Sequence, residues 1–475
     1  MIRLRRALPD ALAAGLIGLA IFAFFGRTFL GYDTFYSLLW GGDLAHGRTP
    51  DYRVPMAPTP HPLAIAAGIP ASLFGSAGES IMLALAIAGL GALIVGVFRL
   101  GQELFGTAVG ALAALIVATR VPFLNYGIRG YVDLAEIALV VWAAVLEARR
   151  PRRGWPVLVV LGLAGLLRPE AWLYAGGYWL WLFPARAWPA RLRLALLVVA
   201  PPLLWGLSDL AVSGDFLWSL HTTHDLAARL ERPRGLAKVP ETVPRRLGEI
   251  LRLPELIAAV LGFTFGAVWM RRQVALPAAV AALNGLAFCV FAVAGLSLLG
   301  RYLFLAGAML AIFAALACLG WLELRPGAPG RGLWRAAGLA ALAGVILFFP
   351  LQQAQRLSLL RTDIRARARV QSDLHALAHA PAIARCRPVL VTGHQLVPLL
   401  GYWAALRAGA VMVRQPSGAR GALVLPRTAE VERLSILDPH EPLPRQRGAP
   451  PGWRRVSANR SWLLDAGSEC RGGPT

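Results

Sequence analysis

The sequence predicts an α-helical polytopic membrane protein of about eleven spans with a small C-terminal α/β soluble domain. Of its 475 residues, 57% are hydrophobic and only 16% are charged, whereas a soluble chain carries roughly a quarter charged residues. Charge is absent from the stretches 81–97 and 274–300, and apolar runs of this kind are typical of membrane spans. The pattern excludes a secreted disulfide scaffold, a disordered chain and an ordinary cytosolic enzyme.

The net charge of +22 has its source in membrane topology. In a soluble protein such an excess would suggest a nucleic-acid partner. Here the basic residues gather in short loops between apolar runs, as in cytoplasmic loops of membrane proteins. All of them except Lys238 are arginine, a bias that a GC-rich genome also produces. We therefore expect the lipid bilayer as a partner, and no nucleic acid.

The four cysteines do not form a zinc motif, because no CxxC or Cys/His cluster is present. Cys289 and Cys318 lie within apolar spans and are expected to be packing residues. Cys386 and Cys470 lie in the polar C-terminal region, where they could pair only if that region is exported.

The first half of the chain predicts four spans. Three arginines precede an apolar run that is long and has no small-residue cleavage site, so we expect a retained first span with a cytoplasmic N-terminus. The Pro-rich stretch 32–80 then lies outside. The four spans are predicted at about residues 8–30, 79–98, 105–124 and 132–148, with a cytoplasmic turn at Arg99–Glu103 and an outer loop at 125–131.

The stretch 155–187 decides the topology of the second half. As one helix it would be about 50 Å long against a hydrocarbon core of about 30 Å. It would also bury Arg168 near the bilayer centre, at roughly 2.5–3.5 kcal/mol or more, and would contain Pro169. Two short crossings that meet at the outer face avoid both costs. Five further spans follow near 194–213, 255–270, 274–298, 302–322 and 334–352.

In this half, the number of basic residues in the loops hardly favours one orientation over the other. The topology therefore depends on the hinge at Arg168. The polar region 353–475 then lies outside the cytoplasm. It contains predicted strands at 388–393, 410–413 and 422–425 and a helix at 395–407, an alternation that predicts a small α/β domain. The predicted domains are therefore 1–352, in the plasma membrane, and 353–475, extracytoplasmic.

Polar side chains converge at the predicted outer surface. They are Asp33, Asp43, His46, Arg53, His61, Arg129, Asp133, Glu136, Arg168, Glu170, His221, His224 and Arg301. Arginine binds phosphate through a fork of donors, each charge-assisted bond contributing about 1.5–3 kcal/mol. A neighbouring carboxylate can act as general base. This combination suits an anionic lipid headgroup.

Simpler interpretations remain open for single residues. Asp33 could cap a helix that begins at the next residue, and Arg301 could be a boundary arginine whose head reaches the interface. Arg168 and Pro169 could mark only a break between spans.

The two histidines of the outer loop support a functional site less well than the acidic residues at the start of span four. His221 and His224, one helical turn apart, could bind a metal but have no clear third ligand. Asp133 opens a span, with Glu136 on a similar face, and acidic residues there are usually functional or paired.

The order of these motifs resembles a known family over about residues 10–322. The chain carries Gly31-Tyr32-Asp33-Thr34-Phe35-Tyr36, Leu44-Ala45-His46-Gly47-Arg48-Thr49-Pro50, Thr59-Pro60-His61-Pro62-Leu63, Gly130-Tyr131-Val132-Asp133-Leu134, Gly165-Leu166-Leu167-Arg168-Pro169-Glu170, Gly214-Asp215-Phe216-Leu217-Trp218 and Gly300-Arg301-Tyr302-Leu303. The set resembles the GT-C superfamily of integral membrane glycosyltransferases, the class of protein O-mannosyltransferases and lipid A aminoarabinose transferase. The resemblance implies a GT-C type fold.

The resemblance also implies a polyprenyl-phosphate-linked sugar as donor and an active site on the non-cytoplasmic face. Asp33 would activate the acceptor or bind a divalent cation, and Asp133 would be the second catalytic carboxylate. Many members have a second acidic residue directly after the first, where this chain has Thr34, and this difference weighs against a metal. Candidate ligands of the donor phosphate are Arg129, Arg168 and Arg301, and candidate substrate-binding residues are His46, His61, Glu170 and Tyr302.

The predicted function is sugar transfer to a cell-envelope glycan, lipid or protein outside the cytoplasm. Arginine would stabilise the leaving polyprenyl phosphate, and direct in-line displacement would invert the anomeric centre. A transporter or flippase would instead place its site near mid-bilayer on broken helices, often with internal repeats. In a non-catalytic membrane scaffold the outer carboxylates would be individually dispensable, whereas a polymerase or ligase of lipid-linked glycans would also need arginines on the outer face.

Overall fold

A computed structural model describes residues 2–414, 416, 420–435 and 448–470, and the rest of the predicted C-terminal domain lies outside these residues. The chain divides into two compact units. The first unit comprises Met1–Phe24, Leu85–Leu207 and Pro233–Leu360, and the second comprises Phe25–Ala84, Ser208–Arg232 and Arg361–Thr475. The domain boundary between residues 352 and 353 stays a prediction.

Helices dominate the part of the chain that the structure describes. In chain order they are α1 Ile2–Phe25, α2 Tyr32–Ala45, α3 Pro62–Ser72, α4 Ala77–Thr119, α5 Val121–Ile128, α6 Asp133–Arg149, α7 Trp155–Gly165, α8 Glu170–Leu182, α9 Trp188–Ser213, α10 Trp218–Arg229, α11 Val239–Leu251, α12 Leu253–Trp269, α13 Arg271–Val293, α14 Phe304–Leu319, α15 Arg331–Ala378, α16 Pro381–Arg385, α17 Leu396–Trp403 and α18 Ala429–Ser435.

Five of the described helices are long and apolar enough to cross a membrane, or up to seven if each of two bent pairs is one span. A multi-pass membrane protein is thus supported, whereas the count of about eleven spans is not confirmed. One reason is length. The hinge does separate two helices, but α7 has 11 residues and α8 has 13, which at 1.5 Å per residue is about 16–20 Å each.

Two predicted loops have other positions in the structure. The turn between the second and third spans lies at Phe105 and Gly106, inside the kinked α4, rather than at Arg99–Glu103. Gly106 adopts a φ of 83°, a conformation that glycine reaches without steric cost. The predicted outer loop 125–131 is largely helical, because α5 ends only at Ile128.

The second unit contains a five-stranded sheet. Its strands are β1 Val389–Val391, β2 Val411–Val413, β3 Ala422–Pro426, β4 Arg454–Ala458 and β5 Trp462–Ala466, in the order β2-β1-β3-β5-β4. β1 is parallel to β2 and β3, whereas β5 is antiparallel to β3 and β4. This sheet confirms the small α/β domain, to which it adds an unpredicted hairpin, β4–β5. Cys386 and Cys470 form a disulfide.

Candidate active site

The first turn of α6 supplies two carboxyl groups. Asp133 is the first residue of this helix and Glu136 lies one turn later, so both side chains project from one face. Acidic groups at a helix N-terminus are stabilised by the helix dipole. Both residues are buried, with exposed fractions of 2% and 4%, so bulk water solvates neither carboxyl group.

Arg168 lies in the turn between α7 and α8 and joins two of the buried carboxylates. Its Nη1 is 3.0 Å from Asp133 Oδ1, and its Nη2 is 3.0 Å from Glu170 Oε1. Its Nε also donates to Glu170 Oε1, at 3.1 Å. The nitrogens of this guanidinium are therefore already engaged, and Arg168 acts as the centre of a buried ion network. The structure brings together three residues that the sequence predicted for the site.

A second arginine approaches the same carboxylate from the 3₁₀ turn Gly300–Leu303, which precedes α14. Arg301 Nε is 3.6 Å from Asp133 Oδ1, and the Arg301 side chain is 16% exposed. The ring of Tyr302 lies 4.8 Å from the Cζ of Arg168 and 5.6 Å from that of Arg301, distances that favour cation–π attraction. The contact of Arg301 with Asp133 is longer than that of Arg168.

Arg129 lies near the ring of Tyr131, which Arg301 also approaches. Its Cζ is 5.3 Å from the ring centroid of Tyr131, and the Arg301 Cζ lies 5.8 Å from the same ring. Two of the three candidate phosphate ligands thus contact one aromatic side chain.

Asn284 connects several elements of the site by hydrogen bonds. The sequence pattern did not predict it as a site residue. It is 2% exposed on α13. Its Nδ2 donates to the Tyr174 hydroxyl at 2.8 Å and to the Tyr302 carbonyl at 2.9 Å, and its Oδ1 accepts from the Ala306 amide at 3.0 Å. The side chain therefore links α8, the 3₁₀ turn and α14. Its one sequence clue is that it is a polar amide inside a charge-free run.

These side chains enclose a small cavity. It is lined by Asp133, Glu136, Ile137, Arg168, Glu170, Tyr174, Asn284, Arg301, Tyr302 and Leu305. Its volume is ≈ 10 Å³, about the space of one water molecule. A group as small as a single phosphate oxygen is of the size that fits such a space.

Three predicted site residues lie in the second unit. Asp33 is buried in the first turn of α2, which begins at Tyr32, and no side chain caps this helix. The interpretation in which Asp33 caps a helix beginning at Thr34 is therefore not supported. His61 is buried directly before α3. His46 is exposed at the end of α2, with its Nδ1 2.7 Å from the Gly42 carbonyl. Their roles stay predictions.

The remaining predicted outer polar residues make hydrogen bonds and ion pairs outside this cluster. His221 Nδ1 lies 2.6 Å from Asp215 Oδ2. The Leu217 amide and then His221 hydrogen-bond to the Asp215 carboxylate, and these bonds lower its pKa. His224 lies 3.8 Å from Asp225, Asp43 pairs with Arg48, and Arg53 donates to the Ser213 carbonyl. Among the described residues, no group of three or more His, Cys, Asp or Glu is arranged to hold a metal ion.

Part of the chain matches a known family. Residues 59–205 match the family model of dolichyl-phosphate-mannose-protein mannosyltransferase, a segment that contains Asp133, Arg168 and Glu170. No curated protein matches the chain by sequence.

Solved structures share the fold at low sequence identity. ArnT from Cupriavidus metallidurans bound to undecaprenyl phosphate is 14% identical, with a TM-score of 0.56 over 98% of this chain and 99% of that chain. The apo structure of the same ArnT is 14% identical, with a TM-score of 0.53 over the full length of both chains. The apo oligosaccharyltransferase of Archaeoglobus fulgidus is 14% identical, with a TM-score of 0.51 over 86% of this chain and 64% of that one. The fold that this chain shares with these solved structures confirms the GT-C type fold that the sequence resemblance implies.

Proposed function

We propose that this protein transfers a sugar from a polyprenyl-phosphate donor to an extracytoplasmic acceptor, a cell-envelope glycan, lipid or protein. The observation that carries the proposal is the buried cluster of Asp133, Arg168, Glu170 and Arg301. Guanidinium groups in a low-dielectric site stabilise a phosphate leaving group far better than they would in water. The bound undecaprenyl phosphate of the ArnT structure supports a donor of this class.

The two arginines have different roles in this proposal. Arg168 is engaged by two carboxylates, so it supplies positive charge and orients Asp133 and Glu170. Arg301 has the longer contact and the more exposed side chain, so it binds the donor phosphate directly. Arg129 is the third phosphate ligand and stays a prediction. Asp133 holds both guanidinium groups in place.

The reaction is a displacement at the anomeric carbon. An acceptor hydroxyl oxygen bonds to this carbon, the bond from the carbon to the phosphate oxygen breaks, and polyprenyl phosphate leaves. The hydroxyl proton passes to a carboxylate, for which Asp33 is the predicted base. A single in-line step inverts the anomeric configuration. The divalent cation stays a prediction, to be tested by chelation in the same assay.

The test is glycosyl transfer in membranes, with radiolabelled polyprenyl-phosphate sugars and endogenous acceptors. We expect transfer by the wild type and its loss in Arg301→Ala and Asp33→Asn, with normal accumulation of both variants. Arg149→Ala is the matched control, because Arg149 forms a partly exposed pair with Glu103 away from the cavity. If Arg301→Ala retained full transfer, the phosphate role would be wrong. If no donor supported transfer by the wild type, a flippase or a scaffold would be the better interpretation.

A further inference from the structure

The charges around the cavity do not balance. Three carboxyl groups line it (Asp133, Glu136 and Glu170) against two guanidinium groups (Arg168 and Arg301). With every group ionised, the lining alone would carry one net negative charge, while Arg129 lies outside the lining, beside Tyr131. An isolated carboxylate in a low-dielectric site is costly and tends to take up a proton instead.

Glu136 is the carboxyl group of the cavity that lacks a cation. Asp133 lies within 4.0 Å of both arginines and Glu170 of one. No cation lies that close to Glu136 among the described residues, and its Oε1 accepts no hydrogen bond from them. The residue is only 4% exposed, so bulk water does not solvate its charge either.

The ionisable groups that line the cavity with Glu136 come from three parts of the chain. From its own helix it faces Asp133, and from the α7–α8 turn and α8 it faces Arg168, Glu170 and Tyr174. The 3₁₀ turn contributes Arg301 and Tyr302. Arg168 bonds to two other carboxylates, and the amide of Asn284 donates to the Tyr174 hydroxyl and the Tyr302 carbonyl.

We propose that Glu136 is kept in its neutral, protonated form and donates a hydrogen bond to an oxygen of the donor phosphate. Protonation cancels the unpaired charge and turns an acceptor-only group into a donor. A neutral donor beside two arginines lets the cavity bind an anion that an ionised glutamate would repel. The phosphate part of this inference rests on the proposed function, whereas the protonation of Glu136 does not.

Infrared difference spectroscopy on the purified full-length chain at neutral pH tests the protonation. We expect a carboxylic-acid C=O band in the wild type that Glu136→Gln removes. Glu147→Gln is the matched control at the other end of α6. Glu147 accepts hydrogen bonds from the Arg152 amide, Tyr178 and Trp181, as an ionised carboxylate does, so this variant keeps the band. A spectrum that Glu136→Gln leaves unchanged would overturn the proposal.

Transfer kinetics test the donated hydrogen bond. Glutamine has nearly the same shape, is neutral and still donates, so Glu136→Gln is expected to keep kcat/KM within about threefold of the wild type. Glu136→Leu removes the donor, and we expect its KM for the lipid-linked sugar to rise about 10- to 100-fold. Loss of transfer in Glu136→Gln, or its failure to accumulate, would mean that the carboxylate is required. If the wild type transferred no sugar, the proposed function would fail, and the infrared band would still decide the protonation.

Discussion

Arg168 provides the sharpest test of the ion network at the scale of single residues. Arg168→Ala would leave Asp133 and Glu170 buried without their shared cation, and breaking a buried pair in this way costs about 3–5 kcal/mol. We expect a clearly lower thermal midpoint in detergent. Arg149→Ala, which removes a partly exposed pair, is expected to cost under about 1 kcal/mol. Equal midpoints for the two variants would contradict a structural role for Arg168.

The residues around this network show which site residues could be predicted from the sequence and which could not. Arg168 could be predicted because a charge interrupts an apolar run, and Asp133 because an acid opens a span. Asn284 could not, because an amide in such a run carries no charge and its three partners come from elements far apart in sequence. Only the fold brings these groups together.

At the scale of elements, the kink in α4 depends on Gly106. A Cβ at this position would displace the Glu323 carboxylate, which ends a flexible side chain, and the φ of 83° is strained for any other residue. We expect Gly106→Ala to cost about 1–2 kcal/mol or more, measured as a drop in thermal midpoint. Gly285→Ala on α13 meets open space and is expected to stabilise by about 0.5–1 kcal/mol. A neutral Gly106→Ala would show that the kink does not need glycine.

The kink also explains an error in the predicted elements. The turn was predicted at Arg99–Glu103 because charges favour the membrane surface. In the structure these side chains remain on a helix, since Arg99 pairs with Asp10 at 2.6 Å and Glu103 with Arg149 at 2.7 Å. The β4–β5 hairpin was missed for a related reason. β4 begins with two arginines, and Arg455 reaches Asp465 on the neighbouring strand, so its pattern is not that of an apolar strand.

At the scale of the whole molecule, the Cys386–Cys470 disulfide offers a test of the predicted topology. Both cysteines lie in the second unit, 84 residues apart in sequence. Such bonds persist in oxidising compartments and are rare in the cytosol. If the C-terminal region is extracytoplasmic, a membrane-impermeant maleimide added to intact cells should label this pair only after reduction. Cys289→Ser/Cys318→Ser is the matched background, because it removes the two free thiols.

One result would contradict the disulfide, and another would reverse the predicted topology. Labelling of Cys386 or Cys470 without a reductant would mean that the thiols are free, and labelling that needs permeabilised cells would place the region in the cytoplasm. The latter outcome would make the number of crossings even rather than odd, given a cytoplasmic N-terminus. It would count against two crossings at Arg168, because the predicted hinge is what sets the parity of the second half. A single labelling experiment thus tests whether Arg168, a charge within an apolar run, marks two crossings and so places the C-terminal domain outside the cytoplasm.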